Sequence, residues 1–283
     1  MAGLYVCPLC IRGIDRQSLS KLTREDAPPK SLRGRRLALT CKDCNSGAGS
    51  DLDSHMVAED NFQRGWASRP LLSKIAIGDV TANVELSVER PEIRVANFCR
   101  RNSRATSDAL ARELDTISGK EFDLIIRLDH DARLAQIGWL RSAYVIAFAA
   151  LGYSYMLQPA LDIVRHQFQD PDCKLLENFY GASGDDSPET QRMGWTRDLD
   201  GELDVIVVQM GTRVVFLPGL GRPEVDIYAS LAKVPKATQL SWTLTEIPWP
   251  TRPMHALDFE EPRPHYPKLE LRSRPPHRVK TNL

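Results

Sequence analysis

Apolar positions change their period along the chain, and the changes mark out elements. From Leu71 to Val95 they favour alternation (Ile75, Ile77, Val80, Val84, Leu86, Val88, Ile93, Val95). That is the period of strands with one buried face, with turns at Gly78-Asp79 and Arg90-Pro91. Ser103 to Ile117 carries Leu110 and Leu114 four apart, a helical spacing, with Ser103 and Ser107 as possible caps. EFDLIIRL, residues 121–128, reads as an apolar-rich strand. The stretch from Asp129 to Leu151 opens on Asp129-His130-Asp131, suited to an N-cap. It runs on through Leu134, Ile137, Leu140, Tyr144, Phe148 and Leu151. Its second half is apolar on all sides, which predicts a buried central helix. Pro159 starts a new element, and Leu161 to Phe168 predicts a helix packed on the first. Residues 182–190 read as a loop. Val205–Val208 and Val214–Leu217 predict a hairpin turning at Gly211, and Leu240–Glu246 a last strand. The segment from Glu260 to Leu283 is rich in proline, arginine and lysine, so it is expected to be disordered or extended.

Length and charge add bounds. At roughly 150 residues per domain, 283 residues suggest two domains. Lys plus Arg number 37 and Asp plus Glu 37, a formal net charge of zero. This excludes an overall basic coat and an overall acidic, disordered chain, but not a local basic patch. No run of about 18 apolar residues occurs, so no membrane span is expected. MAGLYVCPLC lacks a positive region followed by an apolar one, so the expected location is the cytoplasm.

Four of the six cysteines form two C-x-x-C pairs, Cys7 and Cys10 in CPLC and Cys41 and Cys44 in CKDC. In a reducing compartment this spacing reads first as metal ligation. Two intervening residues let a tight knuckle aim both sulfurs at one ion, and a second knuckle completes the tetrahedron. A structural Zn²⁺ on four thiolates is expected. Cys99 and Cys173 stand alone and read as small buried hydrophobes.

Between the knuckles lies Leu22-Thr-Arg-Glu-Asp-Ala-Pro-Pro-Lys-Ser-Leu-Arg-Gly-Arg-Arg-Leu-Ala-Leu-Thr40, followed by CKDCNSGAGSDLD. An acidic residue, a Pro-Pro, a glycine turn, a strand ending in C-x-x-C-N and then a helix occur in that order. Over roughly residues 5–57, about a fifth of the chain, this resembles the HNH (ββα-metal) nuclease family, in the branch with two cysteine knuckles. The resemblance implies a strand and a helix holding one divalent ion, Mg²⁺ or Mn²⁺, which polarises a phosphodiester. A base on the strand deprotonates water. It places Glu25 at the acidic ligand and Asn45 at the helix ligand. Asp53, eight residues on, shares a helical face with Asn45 and is a further candidate. Two positions depart from the pattern. Asp26 stands where the base histidine belongs, and Arg36 where the middle asparagine belongs. An aspartate has an unperturbed pKa of about 3.9, so it is a weak base unless desolvated. Beside a divalent ion, Glu25 and Asp26 look more like a carboxylate pair holding the metal. His55 reads as a surface helix residue that can approach the ion.

Between Arg12 and Arg36 eight basic residues face three acids, an excess of five positive charges. Lys30, Arg33, Arg35 and Arg36 are the candidate phosphate contacts. The whole is expected to be α+β. Residues 1–62 form a zinc-stabilised ββα-metal module, 63–258 a larger α+β domain with a buried central helix, and 259–283 a Pro/Arg-rich tail. The larger domain shows no phosphate-cradling glycine motif, no G-x-S-x-G and no Cys/His couple. Trp139, Trp195, Trp242 and Trp249 in it read as core or interface anchors. The functional expectation is an HNH-like metal-dependent endonuclease, the family tie favouring DNA over RNA. The alternative is a non-catalytic zinc-knuckle module that binds nucleic acid or protein.

Overall fold

The computed structural model describes residues 5–46, 48–65, 71–89, 92–97, 101–117, 130–183, 189–197, 203–221, 226–234, 239–251 and 277–282. Helix and sheet are mixed, as an α+β chain requires. By compactness the chain divides into two units, Met1–Asp53 with Arg133–Leu283, and Ser54–Ala132. These are not the contiguous blocks 1–62 and 63–258 that the sequence suggests.

The first unit begins with a short pair, β1 (Tyr5–Val6) and β2 (Gly13–Ile14). A 3₁₀ turn at Arg16–Lys21, capped by Asp15, leads into the hairpin β3 (Leu22–Ala27) and β4 (Arg35–Cys41). The hairpin is antiparallel, with Leu22 opposite Cys41 and a register shift between Glu25 and Asp26. Helix α1 (Lys42–Ser46) follows, then α2 (Ala48–Gly65), whose residues from Ser54 on belong to the second unit. The ββα order expected from the sequence is therefore present in the described residues.

The second unit holds the meander β5 (Leu71–Ile77), β6 (Val80–Glu89) and β7 (Glu92–Asn97), turning at Gly78, whose φ is 55°. Helix α3 (Arg104–Ile117) lies in the same unit. Ser103 caps it, its Oγ accepting from the Thr106 N–H at 3.0 Å. Ile75, Ala82, Val84 and Leu110 are buried together, with Phe62, Ile77, Val80 and Leu114 packed around them. The alternation in Ile75, Ile77, Val80 and Val84 thus places a one-sided sheet against a helix. The strand expected over residues 121–128 lies outside the described residues.

The chain returns to the first unit along α4 (Ala132–Leu151), whose residues from Ile137 to Phe148 are all buried. By length and composition α4 could cross a membrane, yet 83% of its most apolar window is buried inside the protein. It is the core helix the sequence predicts. Helices α5 (Tyr153–Met156) and α6 (Asp162–Gln169) continue, with the new start at Pro159 as expected.

Then comes an all-antiparallel closed barrel. Its strands are β8 (Tyr180–Ser183), β9 (Gln191–Arg197), β10 (Asp204–Met210), β11 (Arg213–Pro218), β12 (Gln239–Ile247) and β13 (His277–Asn282). A short helix, α7 (Ile227–Ala232), sits between β11 and β12 in sequence. Around the barrel the order is β10-β11-β8-β13-β12-β9. The hairpin at Gly211 is the one the sequence predicts. β10 and β11 are buried at every position, which explains their unbroken apolar runs, VIVV and VVFL.

Residues 277–282 take the extended form of the two expected for this segment, as a strand. β13 closes the barrel by pairing Leu240 with Thr281 and Ser183 with Thr281. Closure leaves no unpaired edge, and that satisfaction of backbone groups outweighs a proline-rich, basic neighbourhood. The remainder of the tail, residues 259–276 and 283, lies outside the described residues. Cys173 is not a buried hydrophobe: it is partly exposed, and its thiol donates to Asp170 Oδ2 at 3.0 Å. Cys99 lies outside the described residues. Trp139 is a core residue at 2% exposure, and the Arg213 guanidinium stacks over its ring at 4.6 Å. Trp195 donates its indole N–H to the buried Asp204.

Candidate functional site

The two knuckles meet. Each of Cys7, Cys10, Cys41 and Cys44 offers a sulfur, and the four lie within 4.8 Å of one another. Cys10 and Cys41 sulfurs are 3.7 Å apart. The first knuckle is a tight turn: the Cys7 N–H donates to the Arg12 carbonyl and the Ile11 N–H to the Cys7 carbonyl. Ile11 takes a φ of 57° to make that turn. The second knuckle begins as β4 ends and becomes the first turn of α1. The Cys41 backbone N–H points at Cys7 Sγ, 3.3 Å away, a donor that favours a thiolate there. The hydrogen bond from Cys44 is the largest cause holding the Cys7 thiol down at about 5. Burial pushes Cys10 up to about 11. Cys44 is raised, first by the hydrogen bond it gives to Cys7. Four soft donors at this spacing, with an N–H already aimed at one sulfur, fit a tetrahedral metal ion such as zinc.

Beside this centre is a buried ion cluster that sequence reasoning did not find. Arg141 comes from the middle of α4 and is 4% exposed; Glu25, from β3, is 3% exposed. Arg141 Nη2 lies 2.8 Å from Glu25 Oε1 and donates to the Cys44 carbonyl at 3.2 Å. Its Nη1 is 3.8 Å from Asp53 Oδ1. Thr40 Oγ1 donates to Glu25 Oε2 at 3.3 Å. Burial raises the Glu25 carboxyl to about 7 against the pull of Arg141, and Asp53 and Asp26 add to the rise. Asp53 is raised to about 6, again mainly by burial. The signal for Arg141 is a charged residue in the middle of the apolar run of α4, apart from Arg133 at the helix start. A buried arginine has to be paired, but its partners sit about a hundred residues earlier and nothing local names them.

The remaining candidates divide between these groups and the surface. Asn45 Nδ2 donates to Thr23 Oγ1 at 2.9 Å and to the Arg24 carbonyl at 3.2 Å, tying α1 to β3. Asp26 is partly exposed, with Arg36 Nε 4.0 Å away. Lys30, Arg33, Arg35 and Arg36 lie on the surface hairpin, and Arg33 and Arg36 side chains are more than half exposed. Arg33 takes a φ of 64° and pairs with Glu189 at 2.5 Å. His55 belongs to the second unit, where its Nδ1 accepts from the Asp131 N–H at 2.9 Å. The N-cap expected of the Asp129-His130-Asp131 triplet falls partly on Asp129, which lies outside the described residues. Among the described residues, Glu25, Asp26 and Asp53 do not form a group with donor atoms within 4.8 Å of one another.

The first knuckle is anchored from α4 to α6. Tyr144 donates its hydroxyl to the Pro8 carbonyl at 2.9 Å, Tyr153 to Val6 and Gln169 to Leu9, each at 2.5 Å. These contacts explain why residues 1–53 are compact with the chain's second half and not as a free-standing module. At the hairpin loop, a Cβ on Gly34 would sit 1.3 Å from the Pro28 carbonyl oxygen. Gly34→Ala is therefore expected to force the loop open, at a cost of at least about 1–3 kcal/mol. Urea unfolding checks this; an unchanged midpoint would mean the loop yields freely.

No protein-family model, no curated protein and no solved structure matches the chain.

Proposed function

We propose that the N-terminal ββα region is an HNH-like nucleic-acid-binding module, built on a structural zinc, that holds a phosphate backbone without cutting it. Cys7, Cys10, Cys41 and Cys44 would hold the zinc, whose contribution is to fix the hairpin against α1. The observation that carries the reading is Arg141. Its guanidinium lies between the Glu25 carboxylate, Asp53 and the Cys44 carbonyl in α1. That is where the HNH reading puts the divalent ion, and a second cation at that place meets direct repulsion. Asp26, the residue at the base position, has a cation of its own in Arg36. The arginines and lysines of residues 12–36 supply the attraction for phosphate. The family likeness favours DNA over RNA.

One observation favours metal-dependent cleavage as a second reading. Glu25, Asp26 and Asp53 are close enough that Asp26 raises both other carboxyls and Asp53 raises Glu25. Glu25 and Asp53 around one buried guanidinium, with Asp26 near both, leave negative charge that Mg²⁺ or Mn²⁺ would neutralise.

Binding to a short fluorescent duplex across a salt series, and nicking of supercoiled plasmid with Mg²⁺ or Mn²⁺, test both. Replacing Arg33, Arg35 and Arg36 together by alanine is expected to weaken binding. It should also flatten the salt slope by about 0.9 for each phosphate that is no longer neutralised. The plasmid is expected to stay supercoiled. A slope that does not change would remove the phosphate-binding reading. Nicking that disappears in Glu25→Gln would replace it with the nuclease.

A further inference from the structure

A second set of metal-ligating side chains lies at the end of α6, apart from the four cysteines. His166 is in the last turn of that helix, Asp170 caps it, and Cys173 follows in the next turn. Their ligand atoms lie within 4.8 Å of one another. We propose that His166, Asp170 and Cys173 form a surface Zn²⁺ site with one coordination position open to solvent.

The spacing is set by the backbone. The Asp170 N–H donates to the His166 carbonyl at 2.9 Å, ending the helix, and the Cys173 N–H donates to the Asp170 carbonyl at 3.2 Å. The three side chains therefore come from one continuous helix end and turn. The turn is then held from behind by Gln167, which is fully buried. Its Nε2 donates to the Cys173 carbonyl at 2.6 Å. Its Oε1 accepts from the Leu175 and Leu176 N–H groups, both at 3.0 Å, and from Arg133 Nη2 at 3.0 Å. A buried amide with all of these partners fixes residues 173–176 against the helix, so the donors are positioned before any ion arrives. Such support is what separates a metal site from a chance cluster.

The donor set selects the ion. Imidazole, carboxylate and thiolate are the three side-chain types zinc takes, whereas Mg²⁺ and Ca²⁺ take oxygen. The Cys173 thiol already donates to Asp170 Oδ2 at 3.0 Å. A zinc ion would take the place of that shared proton: the S–H bond breaks, a zinc–sulfur bond forms, and one proton leaves to solvent. Unpaired carbonyls at a helix C-terminus also favour a cation there. His166 and Asp170 are exposed and Cys173 partly so, which gives the ion a path in. Three protein ligands leave the fourth position for water, the arrangement of zinc sites that exchange ligands.

The test uses the full chain, saturated with zinc and freed of excess by gel filtration. Metal content is compared among wild type, His166→Ala, Asp170→Ala and Cys173→Ala. Each variant is expected to hold one zinc fewer than wild type, while its metal-free form melts with metal-free wild type because the side chains lie at or near the surface. Zinc is also expected to slow alkylation of Cys173 by at least about tenfold, since a bound thiolate is a poor nucleophile. Both readouts compare the variants with wild type, so they hold whatever the four cysteines bind. Equal zinc in wild type and all three variants, or Cys173 alkylation indifferent to zinc, would overturn the site.

Discussion

Cys41→Ser is expected to remove the metal from the four-cysteine centre and to melt the ββα region. Zinc bound to four thiolates supplies an apparent folding free energy of about 10–16 kcal/mol in small zinc modules. The net stability of a typical domain is about 5–15 kcal/mol, so the loss is comparable to everything that holds the region together. The effect should spread beyond residues 5–46. Tyr144, Tyr153 and Gln169 give hydrogen bonds to carbonyls of the first knuckle, and those donors lose their acceptors when the knuckle opens. Metal analysis and a thermal melt of the variant check the result, with EDTA treatment of wild type as the parallel arm. A variant that keeps its zinc and its melting temperature would exclude the four-thiolate centre.

The second large effect belongs to Arg141→Met. Methionine fills much of the aliphatic stem's space but leaves Glu25 and Asp53 without their cation. Removing one partner of a buried ion pair costs about 3–5 kcal/mol, because the other charge stays buried and uncompensated. Adding Glu25→Gln should recover a large part of that loss, since the stranded charge is then gone. The two substitutions are thus expected to be strongly non-additive in urea melts, the mark of groups in direct contact. If Arg141→Met costs under about 1 kcal/mol, a figure typical of exposed pairs, the cluster is not the buried one described here. The same double variant bears on function. With the guanidinium gone and Glu25 neutral, duplex affinity should remain, because the basic residues of the hairpin carry it.

The parts of the fold written in local period were legible in the sequence. The meander over residues 71–97, α3, α4, α6 and the hairpin at Gly211 each follow from spacing and punctuation within one segment. The two knuckles were legible because C-x-x-C needs no tertiary context to be read. The barrel was not. β8 has four residues and β9 carries Gly194 and Trp195 among polar neighbours, so neither shows a clean alternation. β13 sits in a basic, proline-rich stretch, and its strand form depends on β8 and β12 being there to pair with it. The candidate site divides in the same way. Glu25, Asn45 and Asp53 were marked by position in a motif. The partner shared by Glu25 and Asp53, Arg141, is fixed by packing across the chain, and Thr23 and Thr40 contribute single hydroxyls, to Asn45 and Glu25, that no motif flags.

The discontinuous first unit bears on how the protein is made. When the ribosome has released both knuckles, the residues that close around them, Arg141 to Gln169, are still unsynthesised, with the whole of residues 54–132 yet to come between. For that interval Glu25 has no guanidinium to meet, and the carbonyls of Val6, Pro8 and Leu9 have only water. The nascent segment therefore waits, thiols accessible, until a distant helix arrives. Contacts of such long range are slow to form, so metal delivery during translation meets an open binding loop, whereas delivery afterwards meets one whose Cys7 and Cys41 are already buried.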